Sequence, residues 1–385
     1  MEAQGQNVAT VISAPAPGRI GYLDGVRGCL SLLVILHHVA ITYGAVGGWY
    51  YKEHTGEAWV NLLLTTFAAL DQFYFMGLFF LLAAVFTPAS LTRKGEAAFL
   101  RERCVRLGMP LVLFALFLSP PLDYVAWVYQ GDFKGSFVEY LALEPPLVKD
   151  FAPGPLWFVE TLLVFSLVYL LVRRLRPRLS SSPEVTAGQV AGFAVLLAVL
   201  SFLLRLVYPI GAEFWHLQLA YFPQYILLFA VGVRAGSAEI FARLNRRWFW
   251  PCAALTAWGA AMVPVLVLLN GGIDDRFLGG WHWQAAALCL VEGVTCPAAC
   301  ITVLLLFRDR ISAGQRLWAF LGENSYAVYI VHAPVCVLAA LAFRGIPLHP
   351  LGKFFVVLIL SVGLSLAVAA SLRRWGGKAV RAVLG

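Results

Sequence analysis

Charge is what this sequence has least of. Asp, Glu, Lys and Arg make up 13% of its 385 residues, against about 25% in ordinary soluble domains. So few charges cannot cover the water-facing surface of a globular chain this long, which excludes that class. No hydrophilic stretch is long enough for a separate soluble domain, and no repeat recurs at a period of about 20 to 50 residues. The seven cysteines form no CxxC pair, which removes the usual zinc-ribbon and dithiol motifs. Cys296 and Cys300 are one helical turn apart, but free cysteine packs as a small hydrophobe, and no metal is expected there. Residues 1–18 lack a basic start followed by an apolar core and so do not form a cleavable signal. They are expected to be a mobile cytoplasmic tail, with residues 19–385 a single membrane domain.

What is present is hydrophobic sequence: 60% of residues, with mean hydropathy +0.77. Apolar runs lie near 24–46, 59–86, 106–128, 155–172, 188–208, 217–236, 249–269, 282–306, 318–342 and 351–371. Each is long enough to cross a hydrocarbon core of about 30 Å as a helix. The expected fold is an all-α, polytopic integral membrane helix bundle of about ten transmembrane helices.

The net charge of +8 is a topology signal, not a nucleic-acid surface. Arg93, Lys94, Arg101, Arg103 and Arg106 follow the second run, and Arg173, Arg174, Arg176 and Arg178 the fourth. Arg234, Arg243, Arg246 and Arg247 follow the sixth, Arg308, Arg310 and Arg316 the eighth, and Arg373, Arg374, Lys378 and Arg381 the last. The alternate connections hold Lys52, Lys134, Lys149, Arg276 and Arg344. By the positive-inside rule both termini are cytoplasmic. The longest outer connection, about 128–154, carries Asp132, Glu139, Glu144, Pro145, Pro146 and Asp150 and reads as a binding loop or a plain Pro-rich connector.

Against this apolar background the polar groups inside the runs stand out. In "YLDGVRGCLSLLVILHHVA" (22–40) Asp24 is placed to cap the helix and to pair with Arg27 three residues on. From Arg27 to His38 is eleven residues, three turns plus about 20°, so the two share a face about 16 Å apart. His37 points about 100° away. Asp71, Gln72, Glu160, Arg205, Glu292 and His332 interrupt other runs. An ionisable group near the bilayer centre costs about 2.5–3.5 kcal/mol or more, so several together imply a paired or hydrated interior. In "FLRERCVRLGMP" (99–110) Arg103 and Arg106 are one turn apart; they read as a topology anchor or as a pair of guanidinium forks for phosphate. Tyr221, Gln224 and Tyr225 of "YFPQY", with Trp157, are candidates for lining a sugar path or for interfacial anchoring. "GVRAG" (232–236) has the spacing of a close helix contact, and "SSSPEVT" (180–186) that of a linker between helices.

These residues resemble the acyltransferase family 3 membrane proteins, which O-acylate glycans. "YLDGVRGCLSLLVILHH", "RERCVRLGMP" and "GENSYAVYIVHAPV" are similar to family motifs. "GPLWFVETLLVF" and "YFPQYILLFAVGVRAG" look most like the branch of osmoregulated-periplasmic-glucan succinyltransferases. Many O-acetyltransferases of the family carry a tryptophan-serine-leucine and glutamate-pair motif where this chain has Trp157, Phe158 and a single Glu160. The resemblance implies a bacterial inner-membrane enzyme that takes succinyl or acetyl from cytoplasmic acyl-CoA to a hydroxyl of an extracytoplasmic glycan or glucan. It implies that Arg103 and Arg106 hold the CoA phosphates and that His38, with Arg27, is the reaction centre. Asp71 or Glu292 is expected to orient the His38 ring, with Glu160, Trp157, Tyr221, Gln224, Tyr225 and His332 on the substrate side. The rival reading is a secondary transporter, but the two halves show no matched pair of interrupted helices. His38→Ala is expected to abolish acyl transfer in a folded, donor-binding protein, and His37→Ala, judged by helix phase, to do much less. Thiol release from acyl-CoA is the measurement.

Overall fold

A computed structural model of the chain describes residues 21–53, 56–146, 151, 153–175, 185–237, 239–311 and 316–384. The expected tail, Lys149, Asp150, Arg176, Arg178 and positions 180–184 of the expected linker lie outside the described residues. α1 (Gly21–Thr42) is followed by a bent rod of α2 (Ala58–Gln72), α3 (Phe75–Val85) and α4 (Thr87–Lys94). A second rod joins α5 (Glu96–Arg103), α6 (Met109–Leu113) and α7 (Ser119–Gln130) through π-helical turns at Cys104–Gly108 and Phe114–Leu118. Then come α8 (Phe137–Leu143), α9 (Trp157–Leu175), α10 (Ala187–Arg205), α11 (Phe222–Ala235), α12 (Glu239–Ala242) and α13 (Phe249–Asn270). α14 (Trp283–Asp309), α15 (Arg316–Ala342), α16 (Pro350–Trp375) and α17 (Lys378–Leu384) complete the chain. Among the described residues nine stretches are long and apolar enough to cross a membrane, and Leu219–Ala235 is a shorter apolar tenth. The fold is the all-α polytopic bundle that the sequence implied.

Helix starts follow the local chemistry. Thr186 caps α10 with a reciprocal bond from Gln189, and Ser136 caps α8 with Glu139 in the same way. The long connection 128–154 therefore contains a short helix. α1, α14 and α15 occupy the centre, whereas α10, α13 and α16 form the periphery. Leu268 and Ile359, each 70% exposed, show what that periphery faces: side chains of this size left bare suit lipid.

The centre is set by close crossings. A Cβ on Gly28 would sit 2.6 Å from Cβ of Leu321 and 2.8 Å from its carbonyl carbon; one on Gly322 would sit 2.4 Å from the Asp24 carbonyl oxygen. Only hydrogen fits at either position, so α1 and α15 touch backbone to backbone. Gly232 makes the same kind of contact with the Leu81 carbonyl of α3. Gly236, its expected partner in "GVRAG", instead ends α11 in the left-handed conformation at φ 64°.

Two departures from the expected spans shape the interior. The run 59–86 breaks at Phe73–Tyr74, where Tyr74 leaves helical geometry at φ −145°. No Pro or Gly marks the break; the Gln224 amide of α11 caps it by donating to the carbonyls of Phe73 and of Gln72, the latter at 3.4 Å. The second departure is that α1 stops at Thr42, and residues 43–53 turn back into the bundle. Tyr43, Ala45, Trp49 and Tyr51 are buried, Val46 N–H donates to Oγ1 of Thr65 at 3.1 Å, and Lys353 Nζ meets Oε2 of Glu53 at 2.6 Å. Irregular backbone at such depth is tolerated where protein surrounds it.

Gly28→Ala is expected to force α1 and α15 apart, at a cost of about 1–3 kcal/mol. A lowered thermal midpoint in detergent checks this. Gly363→Ala in α16, where an added Cβ meets nothing within 4 Å, should leave the midpoint unchanged or raise it, as helix propensity favours Ala over Gly by about 1 kcal/mol.

Candidate active site

The α1–α15 crossing carries His38 against His332. Their rings are near parallel (16°) with centroids 5.3 Å apart, and the Trp49 indole from the returning segment lies 3.8 Å from His38 at 13°. His332 is fully buried, and its Nδ1 is 2.6 Å from the Tyr329 carbonyl oxygen. A carbonyl only accepts, so that nitrogen carries the proton and Nε2 of the neutral ring keeps a lone pair. His38 is half-buried, with aromatic rings for neighbours and no carboxylate in contact among the described residues. Such an imidazole is suited to accept a proton or an acyl group.

The carboxylate expected at His38 is beside its neighbour. Nδ1 of His37 lies 3.2 Å from Oδ2 of Asp71, within ion-pair range though off the angle of a hydrogen bond. The His37 ring stacks on Phe75 at 5.2 Å and meets the His38 ring edge-on at 5.5 Å and 90°. The phase difference of about 100° between adjacent helical residues is the reason: it aims His38 at α15 and His37 at the α2–α3 rod. Asp71 is thirteen residues beyond Ala58, or about 20 Å along α2, so the histidine pair is deep in the bundle although α1 ends one turn later.

Glu292, the other carboxylate considered for His38, belongs to a different cluster. Its Oε2 is 2.5 Å from an Arg205 nitrogen, with the two side chains 0% and 1% exposed. Arg205 also donates to the Ala220 carbonyl at 3.3 Å and lies over the Tyr221 ring at 5.2 Å, tying α10 and α14 to the turn that leads into α11. Tyr221 thus serves this pair. Gln224 caps the broken α2–α3 rod. The Tyr225 hydroxyl accepts from Gln72 Nε2 at 2.9 Å, and its ring stacks on Trp157 at 5.3 Å. Three expected substrate-side residues, Trp157, Gln224 and Tyr225, therefore gather near Gln72, the residue after Asp71, with Gln224 and Tyr225 buried. Glu160 stands apart, its Oε2 2.7 Å from Nε2 of His216.

At the arginine-rich end the expected basic residues converge on one corner. The Arg27 guanidinium lies 4.9 Å over the Phe86 ring and 3.3 Å from Asp24, as the three-residue spacing implied. Arg103 donates to Oγ1 of the adjacent Thr87 at 3.3 Å. Arg106 lies in the first π turn, where its carbonyl accepts from the Tyr326 hydroxyl at 2.5 Å and its guanidinium is 3.6 Å from Glu102. Lys94 also bonds to Glu102. π turns frequently mark functional sites; here one brings α15, which bears His332, against the arginine pair.

Sequence reasoning missed Trp49 and the partner of His37. "GGWYY" after the first run was the available signal for the former; for the latter there was none, because helix contacts are not written in one sequence. Breaking the Arg205–Glu292 pair from one side, as in Glu292→Gln, is expected to destabilise by about 3–5 kcal/mol, while an apolar pair (Arg205→Met with Glu292→Leu) recovers most of it. Thermal unfolding checks this. Thiol release should survive in the double variant, since these side chains pair with each other and not with the histidines.

The family model for the acyltransferase domain of acyltransferase family 3 matches residues 20–370. No curated protein and no solved structure matches the chain. The matched segment runs from the start of α1 to within α16, and so includes the histidines, the arginine corner and every central helix. The chain belongs to the acyltransferase 3 family and is a multi-pass membrane acyltransferase.

Proposed function

We propose that the protein moves an acyl group, succinyl or acetyl, from cytoplasmic acyl-CoA to a hydroxyl of an extracytoplasmic glycan, with a periplasmic glucan as the acceptor. On this reading it lies in the bacterial inner membrane with both termini and the arginine-rich end in the cytoplasm. The observation that carries the proposal is the half-buried His38 imidazole, deep in the bundle and with no carboxylate partner among the described residues, above a corner where Arg27, Arg103 and Arg106 converge.

The arginine corner supports a phosphorylated donor. Guanidinium groups offer planar forks of donors to phosphate, and Arg103 and Arg106 sit where CoA would arrive from the cytoplasm. The thioester then reaches up towards His38, and the acceptor comes down from the opposite end past Trp157 and Trp49. Neutral His38 takes the proton of the acceptor hydroxyl as its oxygen attacks the thioester carbonyl; the C–O bond forms, the C–S bond breaks and the CoA thiol leaves. A general base of this kind contributes about 10²–10⁴ in rate. In the stepwise variant His38 is itself acylated and then passes the group to the hydroxyl.

The test is to give the purified protein succinyl-CoA or acetyl-CoA with and without a glucan, and to follow free thiol and acylated product. Arg103→Ala and Arg106→Ala are each expected to weaken donor binding by about 10- to 100-fold, as the loss of a charge-assisted hydrogen bond implies, with smaller effects on the rate at saturation. A carrier would consume no thioester, and normal donor affinity in both variants would remove the arginine corner from the proposal.

A further inference from the structure

The proposed reaction uses one imidazole, yet two stand together, and the one left over holds the carboxylate. The chemistry requires a proton to leave an oxygen and to reach a sulfur. The O–H and C–S bonds break, the C–O and S–H bonds form, and nothing else changes. Acceptor and donor approach from opposite ends, so the proton is collected on one side of the reacting carbon and delivered on the other. A single ring would have to face both ways in one turnover.

The two rings differ in their surroundings. His38 meets an indole and a second imidazole; His37 meets the Asp71 carboxylate at 3.2 Å and a phenyl ring. Asp71 is 1% exposed on its side chain, and a buried carboxylate needs a cation or a proton to be tolerable. Further titratable groups within electrostatic reach of Asp71 are Cys29 on α1 and Tyr74 at the rod's break, while His332 lies beyond His38 on α15. None of these is a permanent cation. Of the described groups, His37 at 3.2 Å is the one that would balance the carboxylate when it carries a proton. Where two neighbouring titratable groups have environments this different, acid and base roles divide between them.

We propose that His37, held by Asp71, is the acid half of the reaction centre. His38 takes the hydroxyl proton while protonated His37 supplies one to the departing CoA thiolate. The proton on His38 then crosses the edge-on contact between the rings to His37, which restores both. This inference rests on the acyl-transfer reading, and it reverses the small role that helix phase alone assigns to His37.

Leaving-group dependence separates an acid from a structural residue, because a thiolate of low pKa departs without a proton. The experiment compares acyl-CoA with a p-nitrothiophenyl thioester of the same acyl group. His37→Ala and His37→Gln are expected to lose about 10²–10⁴-fold in kcat with acyl-CoA, with donor KM changed less than about threefold. With the aryl thioester the loss should fall below about tenfold. Asp71→Asn should show the same pattern with a smaller loss, and His38→Ala should fail with both donors. The Gln variant carries the test if the Ala variant does not fold, as judged by its thermal midpoint. Equal losses with both donors would make His37 structural and overturn the proposal, as would no loss in either. Failure of the acyl-transfer reading looks different: the unsubstituted protein would release no thiol from either donor.

Discussion

The interior depends on the distance between α1 and α15. At Gly28 and Gly322 the two backbones meet without side chains between them, and three turns further along the same pair of helices sets His38 against His332. A wider crossing would separate the rings and leave a gap that Trp49 is too short to fill. The glycine in "DGVRG" is therefore a packing residue with a chemical consequence, because it fixes what the histidines can touch. The same crossing brings Tyr326, near the start of α15, to the turn that carries Arg106. One helix contact thus links the reaction centre to the arginine corner.

A bundle in lipid gains little from bringing apolar surfaces together, since lipid tails are as apolar as leucine. Its interior polar groups are then both the main cost and the main source of specificity. Three sets of buried groups are met by partners on other helices. Arg205 has Glu292, Asp71 has His37, and the carbonyls released at Phe73–Tyr74 have the Gln224 amide. Each pair joins different helices, so each fixes a register as well as neutralising a charge. The His38 ring packs against the rings of Trp49, His332 and His37, with no carboxylate in contact among the described residues. Its contacts hold the ring in place without committing it to an ion pair, which is what a group that must accept a proton requires.

The helical bundle was legible because span length is a property of single segments. The pairing of Asp24 with Arg27 was legible for the same reason, being three residues apart on one helix. The pairing of Asp71 was not: spacing places His38 on the Arg27 face, but which neighbouring helix each histidine meets is set by the crossings, and these emerge only when the helices pack. Glu292 misled in the same way, as its partner is 87 residues away on α10. The break at Phe73–Tyr74 lacks a Pro or Gly because its cause is a glutamine on another helix. Trp49 was hidden because a connection between spans is ordinarily read as solvent-facing, whereas this one returns into the bundle and is fastened there by Glu53 and Lys353.

That returning segment bears on how two substrates can meet without opening the membrane. The half-buried His38 ring lies under Trp49, so the indole occupies the approach from the end opposite the arginines. On the proposed reaction an acceptor arriving there would share the aromatic face with His38 or displace the indole. On the other side, the route from the arginine corner follows α1 for about 16 Å between Arg27 and His38, a span that suits an extended donor arm better than a compact ligand. On the proposed reaction the two ends of the bundle meet different molecules, whereas a transporter would need them to exchange roles.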